Sequence, residues 1–393
     1  MFKISAKSTE EKNSIIASLF IYQYSLLIPL MSYINPVLLV GVTGIALVGL
    51  SVINNRKVLV NSKTLIIYIF IILALVLKLI LDDSKPNVLM YFLLIALPVL
   101  PIFSCYFDRA YFLKVCHNLA ILNFFMLFWI PFWGQYEYMR FGYGLLLTPV
   151  FLFSDFLYNK DRKILERIFL GVILGLSLFE VFVWGARGCI VTFILFFILD
   201  TFIIHRQNVI RNTVIAGTAL LLVLNLSRFL DLLQWIAGKF GLYSYALRKY
   251  QLALKVGLSS TSAGRGGLYR EAIREIKLHP LIGNPMSIAD SDGQYVHNLF
   301  LQVGRDLGIV ALILVSVFVL YSFYTLFNKR INTEDKTILL LIFSLAMGRL
   351  LFSSVLWKRP EFWMLICFQF VITDKEYLLF SKLKKLDTEE KNE

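Results

Sequence analysis

Apolar residues fill most of this chain in long blocks, and one polar stretch stands out between them. A helix needs about 20 apolar residues to cross a bilayer. Twelve blocks approach that length: 14–33, 36–53, 64–81, 88–107, 112–133, 141–158, 166–184, 188–204, 212–228, 307–327, 337–356 and 360–374. Pro98 and Pro101 are expected to kink the fourth. The pattern predicts an all-α polytopic membrane protein. Spans one to nine occupy 1–228, a polar segment covers 229–297, spans ten to twelve fill 298–374, and 375–393 is a charged tail. The first block follows Lys3, Lys7 and Lys12 and has no small-residue cleavage site. It is expected to be a first span rather than a removed signal peptide.

Composition sharpens the class. The 393 residues are 58% hydrophobic and 17% charged, with a mean hydropathy of +0.72. Soluble domains are usually about 45–50% apolar and about 25% charged. Cys105, Cys116, Cys189 and Cys367 all fall in apolar blocks. Their spacing makes neither a metal site nor a disulfide framework, so they read as small buried or lipid-facing residues. The net charge is +13, most of it explained by cytoplasmic loops rich in Lys and Arg. No RNA- or DNA-reading motif accompanies it, so nucleic acid is excluded as a partner.

Charge also orients the chain. One set of short loops carries Arg56, Lys57 and Lys63; Arg109 and Lys114; Lys160, Arg162, Lys163 and Arg167; Arg206 and Arg211; Lys329, Arg330 and Lys336. The alternate loops are poor, with Lys85 in one and Arg140 in another. Both termini are therefore expected to be cytoplasmic. The 229–297 segment then faces outward, with the Trp184-Gly185-Ala186-Arg187-Gly188 and Trp357-Lys358-Arg359-Pro360 turns. Hydrolysable nucleotide is not available outside the cell. Chemistry there needs a donor already activated, such as a lipid-linked diphosphate.

The polar segment holds most of the candidate chemistry. Tyr243–Leu258 reads as an amphipathic surface helix, and Leu268–Leu278 as a helix stopped by His279-Pro280. Arg270, Arg274 and Lys277 share one face of it, and Ala272 and Ile276 lie on another. That cationic face reads as solvated, with Glu271 and Glu275 as partners and Arg270 as a candidate substrate contact. Arg265 follows a Gly-rich turn at a helix start, where free backbone N–H groups and a planar guanidinium both favour phosphate. His297 precedes the apolar Leu299-Phe300-Leu301, where a neutral imidazole can take a proton from a hydroxyl. Asn298 can orient it or bind sugar. Asp290 and Asp292 are further candidate bases in what also reads as an ordinary turn. Too few carboxylates converge to argue a metal, and no cofactor is expected. Arg187, Arg305 and Arg349 are ionisable residues at or inside spans, which tend to mark substrate paths. Arg187, Arg265 and Arg305 are expected to surround a diphosphate. Lys78 reads as snorkelling from a span end, and Arg349 as snorkelling or paired internally.

Ala186-Arg187-Gly188, Gly264-Arg265, His279-Pro280-Leu281-Ile282-Gly283, His297-Asn298-Leu299 and Leu307-Gly308-Ile309, in that order, resemble the O-antigen ligase/polymerase superfamily. The motifs cover 186–309. The resemblance implies about twelve spans, a fold related to the C-type glycosyltransferases and a bacterial cytoplasmic-membrane location. It implies an undecaprenyl-diphosphate-linked glycan as substrate, with metal-independent inverting transfer at the outer face. Arg187 and Arg265 would hold the diphosphate and His297 would be the base. A chain-length regulator and a flippase are the implied protein partners. Ala186, Tyr269 and Asn284-Pro285 depart from the residues frequent there. A repeat-unit polymerase for O-antigen, capsule or exopolysaccharide is the favoured expectation. The alternatives are a ligase moving glycan to lipid A–core or another acceptor, and a flippase or transporter. A transporter is expected to show internal repeats and broken helices at the midplane, and neither is visible in the sequence.

Overall fold

A computed structural model describes residues 8–55, 61–82, 84–132, 137–159, 161–239, 244–256, 265–286 and 295–374. All regular elements among them are helices. They are α1 (Thr9–Leu27), α2 (Pro36–Asn55), α3 (Ser62–Leu81), α4 (Asn87–Tyr91), α5 (Val99–Phe103) and α6 (Arg109–Leu127). Next come α7 (Tyr138–Leu145), α8 (Leu147–Tyr158), α9 (Ile164–Trp184), α10 (Arg187–Leu199), α11 (Val209–Leu224) and α12 (Leu226–Lys239). The remainder are α13 (Tyr245–Val256), α14 (Arg265–Leu278), α15 (Leu299–Thr325), α16 (Thr333–Leu350) and α17 (Pro360–Ile372).

Among the described residues, 8 helices are long and apolar enough to cross a membrane, or 9 if the bent pair α11–α12 counts as one. The other expected spans take different forms. The fourth is broken by a π-helical turn at Phe92–Ala96 as well as by its prolines. The ninth ends at Leu224, and α12 leaves it at 79°, so the polar segment begins earlier than residue 229. Broken helices are thus present where the sequence showed none. Helix α16 has four charged residues in its 18, but Ile338 to Leu350 are all buried. An all-round apolar helix of this kind belongs in a core. It packs against α6, α10, α15 and α17. A Cβ on Gly348 would sit 2.1 Å from Thr192 Oγ1, so α10 and α16 meet at a glycine. The four cysteines are free and buried.

Contacts sort the helix ends into two groups. At one end Asn54 Nδ2 donates to Thr9 O (3.0 Å), Asn61 Nδ2 to Asp374 Oδ2 (2.8 Å) and Arg109 Nε to Asp335 Oδ1 (2.8 Å). This terminal end gathers Lys114, Arg162, Arg206 and Lys336 from the expected cytoplasmic set. Ser8, Asn61, Asp108 and Asn332 cap helices there, satisfying otherwise orphaned N–H groups. At the opposite, loop end, Met286 N donates to Ser84 Oγ (2.7 Å) and Tyr295 OH to Ser353 O (3.2 Å).

One break sets the geometry of the loop end. Helix α15 is interrupted at Gly308, φ 82°. The break frees backbone groups that must be satisfied elsewhere. The turn after α14 satisfies them: Ile309 N donates to Pro280 O (2.7 Å) and Asn284 N to Arg305 O (2.7 Å). Lys78 Nζ completes the set, donating to Asp306 O (2.8 Å), Asn284 O (2.6 Å) and Ile282 O (3.1 Å), and pairing with Asp82 (3.2 Å). Lys78 is 5% exposed; it does not snorkel but ties the turn to α3. A Cβ at Gly308 would lie 2.2 Å from Leu281 O, and one at Gly283 (φ 75°) would lie 2.7 Å from Arg305 O. Both positions need glycine for backbone angle and for space.

Candidate functional site

The chain re-enters the bundle through Tyr295–Asn298. Asn298 is the N-cap of α15, its Oδ1 accepting from Phe300 N (3.0 Å) and Leu301 N (3.1 Å). That capping role accounts for Asn298 structurally. Immediately before it, His297 has φ 53°, the only positive φ at a described non-glycine residue. Such conformations are uncommon for side-chain-bearing residues and concentrate at functional sites. The imidazole packs on the Tyr295 ring, centroids 3.9 Å apart. Its Nδ1 is buried and has no hydrogen-bond partner among the described residues. Burial first, and the Arg265 charge second, push its pKa down to about 4. The ring is therefore neutral at pH 7 and has a lone pair available to accept a proton. Arg265→Gln removes a positive neighbour, so the titration is expected to move up from about 4. Imidazole NMR of the four histidines reads this directly; an unmoved titration would leave burial as the sole cause.

Beside Tyr295 lies a cavity of about 420 Å³. Its deeper wall is apolar, with Phe20, Ile21, Val40, Ile342 and Met364. Its rim is cationic, with Arg140, Arg349, Lys358 and Arg359. Arg349 is ion-paired with Glu361 and lies over the Tyr143 ring (4.3 Å) and the Tyr24 ring (5.5 Å). Its Nε is buried and has no hydrogen-bond partner among the described residues. Arg359 donates to Ser354 Oγ and lies 5.8 Å from the Tyr24 centroid. Arg140 pairs with Glu137, and Lys358 sits 5.3 Å from the Tyr91 ring. An apolar floor under a rim of guanidinium groups suits an anionic head on an apolar tail.

The sequence candidates separate in space. Arg187 starts α10 and is within electrostatic reach of Tyr250 on α13. Next to it, a Cβ on Gly188 would fall 2.2 Å from Tyr143 Oη and 2.3 Å from Ser353 Oγ. The Arg187 turn therefore abuts the cavity wall and the Ser353–Tyr295 contact. Arg265 opens α14 within reach of His297 and Tyr295. Arg187, Arg265, His297 and Arg349 thus share the loop end. Arg305 stands differently: it is buried against Asp306 (3.0 Å) and faces Glu275 (3.7 Å). Gln302 joins this group, bonding Asp306 Oδ2 (3.3 Å) and accepting from Leu356 N (3.0 Å). Arg305 braces the re-entry rather than facing the cavity. Arg270, Arg274 and Lys277 are exposed, while Ala272 is buried and Ile276 packs toward Gly304 of α15. Asp290 and Asp292 lie outside the described residues.

Sequence reasoning missed Arg140, Lys358 and Arg359 as a group. The available signal was their position. Cations in loops expected to be poor in Lys and Arg call for a local reason. No family model matches this chain, and no curated protein matches it.

Proposed function

We propose that this protein is a multi-pass membrane glycosyltransferase that polymerises lipid-linked oligosaccharide repeat units at the outer face of the cytoplasmic membrane. The observation that carries this reading is the loop-end cavity, with its apolar wall, its cationic rim and Tyr295 and His297 beside it. Twelve crossings with both termini cytoplasmic fit the grouping of the helix ends and the Lys- and Arg-rich turns at the terminal end. The donor is an isoprenoid diphosphate glycan, such as one on undecaprenyl diphosphate. Its diphosphate lies among Arg349, Arg359 and Lys358, flanked by Arg187 and Arg265.

In the reaction, an acceptor hydroxyl oxygen attacks the anomeric carbon. The bond from that carbon to the diphosphate oxygen breaks with inversion. The hydroxyl proton passes to the neutral His297 imidazole, and the lipid diphosphate leaves with the bonding electron pair. Charge grows on the leaving group in the transition state, where fixed guanidinium groups stabilise it most.

The test is incubation of the purified full chain with lipid-linked repeat units. Laddered products still on the lipid are expected. Transfer to lipid A–core would replace polymerase by ligase. Movement of the lipid across the bilayer with no new glycosidic bond would remove the enzyme reading; the π-helical turn whose Ile95 lines the cavity is the feature a transporter would use.

A further inference from the structure

The terminal end carries a second cavity, of about 700 Å³, between α6, α8, α10 and α16. Helix register divides its lining. Helix α8 ends at Tyr158, and Phe151 lies seven residues earlier, about 10 Å deeper at 1.5 Å per residue. Phe196 precedes His205 by nine residues, about 13 Å if the rise is helical. The deep wall is apolar, and the wall near the helix ends is polar.

The polar part is built around one carboxylate. Asp155 Oδ2 lies 3.2 Å from His117 Nδ1 and 3.0 Å from an Arg162 terminal nitrogen, and Oδ1 accepts from Asn159 (2.7 Å). This holds the imidazole and the guanidinium side by side. Three neighbours surround the carboxylate within ion-pair or hydrogen-bond distance. Its Oδ2 and His117 Nδ1 make no hydrogen bond among the described residues, and donors remain as well. Arg162 Nε and Ser154 Oγ are buried and have no hydrogen-bond partner among the described residues. Lys114 adds a second permanent cation to the lining. His205 is stacked on Tyr158 with centroids 3.6 Å apart, which fixes the far side of the opening.

Glu166 faces Arg162 at 3.7 Å and Asp200 lies 3.4 Å behind His205, but neither lines the cavity. Within the lining two permanent cations stand against the single carboxylate of Asp155, a balance that favours an anion over a cation or a neutral sugar. The planar guanidinium matches phosphate oxygens. The apolar depth would remain empty beneath a bare hydrated ion. We propose that this cavity binds a phosphate ester bearing an apolar group, with Arg162, Lys114 and Ser154 on the phosphate and Phe151, Phe196 and Leu341 against the apolar part. The source is either a bilayer phospholipid headgroup or a water-soluble phosphate compound. The site is at the opposite end from the proposed transfer centre, and either assignment can fail without the other.

The test follows the unfolding midpoint of the full chain in a phosphate-free, non-ionic detergent. Dioctanoyl phosphatidate, dioctanoylglycerol and inorganic phosphate are titrated separately. A saturable rise with the phosphatidate, absent with the glycerol lipid, is expected. Removing one charged hydrogen-bond donor should weaken that binding about 10-fold or more in Arg162→Gln. Lys114→Gln serves if that variant does not fold. A rise with inorganic phosphate equal to that with the phosphatidate would show that the apolar depth contributes nothing and would overturn the apolar half of the assignment. Phe151→Trp, which fills the deep part, should lose the response to phosphatidate while keeping any response to inorganic phosphate. Equal responses to both dioctanoyl lipids, no response to either phosphate compound, or wild-type affinity in folded Arg162→Gln and Lys114→Gln would each overturn the assignment.

Discussion

His297→Asn is expected to lower glycosyl transfer about 10²–10⁴-fold, the usual contribution of a positioned general base, with the protein still folded. Asparagine is the informative replacement. His297 occupies the left-handed region (φ 53°), which asparagine tolerates better than alanine. His297→Ala would mix a backbone cost with the loss of the base. The pH profile adds an independent check. The base must be neutral, and burial together with Arg265 holds its pKa to about 4 in the free protein. The acid limb of kcat/KM is therefore expected near pH 4, with a plateau above it. A bound diphosphate offsets the field of Arg265, so the limb of kcat should lie higher. The same shift has a stability consequence. Folding depresses the value from 6.5 to about 4, so the unfolded chain binds protons first as pH falls. Stability that is fully present above pH 6.5 is lost as the pH falls through 4. Initial rates of lipid-linked product formation measure the catalytic effect. Wild-type turnover in His297→Asn would remove His297 as the base.

Lys78→Met is expected to destabilise the loop end by about 3 kcal/mol or more, in the range for breaking a buried charged contact. An ammonium has three protons to donate, and Lys78 is surrounded by the carbonyls of Ile282, Asn284 and Asp306 as well as Asp82. A methionine of similar length leaves those oxygens without that donor in a buried place. The break at Gly308 then loses one of its three compensating contacts. Hydrogen exchange in 279–286 and 305–309 should rise well before the bundle core opens, and the proposed transfer should fall with it. Lys78→Arg is not expected to rescue, because a planar fork does not reproduce three divergent donors. Native protection of the turn in Lys78→Met would show that the backbone contacts suffice alone.

How far the sequence can be read depends on which physical constraint acts. Lipid imposes a local one: about 20 apolar residues in a row with every backbone group satisfied within the helix. Such blocks are visible without any partner, so most helices fall within a few residues of expectation. Local rules fail where a neighbour supplies what the helix lacks. Asn225 allows a 79° bend because α12 packs elsewhere, against α9 and α13. Gly308 breaks α15 because the turn at 280–284 and Lys78 take over its hydrogen bonds. The motifs His279–Gly283 and Leu307–Ile309 are adjacent for that reason, although more than 20 residues separate them along the chain.

The sequence by itself determined the helical class, the apolar blocks, the clustering of short basic turns at one end and the polar segment that holds Arg265 and His297. Those follow from composition and from neighbours a few residues away. Only the tertiary structure decided what each charge does. Arg109 meets Asp335, Lys78 meets the turn before Met286, Arg305 meets Asp306 and Glu275, and Arg349 meets Glu361 beneath Tyr143. A charge in a low-dielectric bundle must find a partner. Several of these partners lie more than 200 residues away, so bracing and lining arginines look alike until the helices are packed.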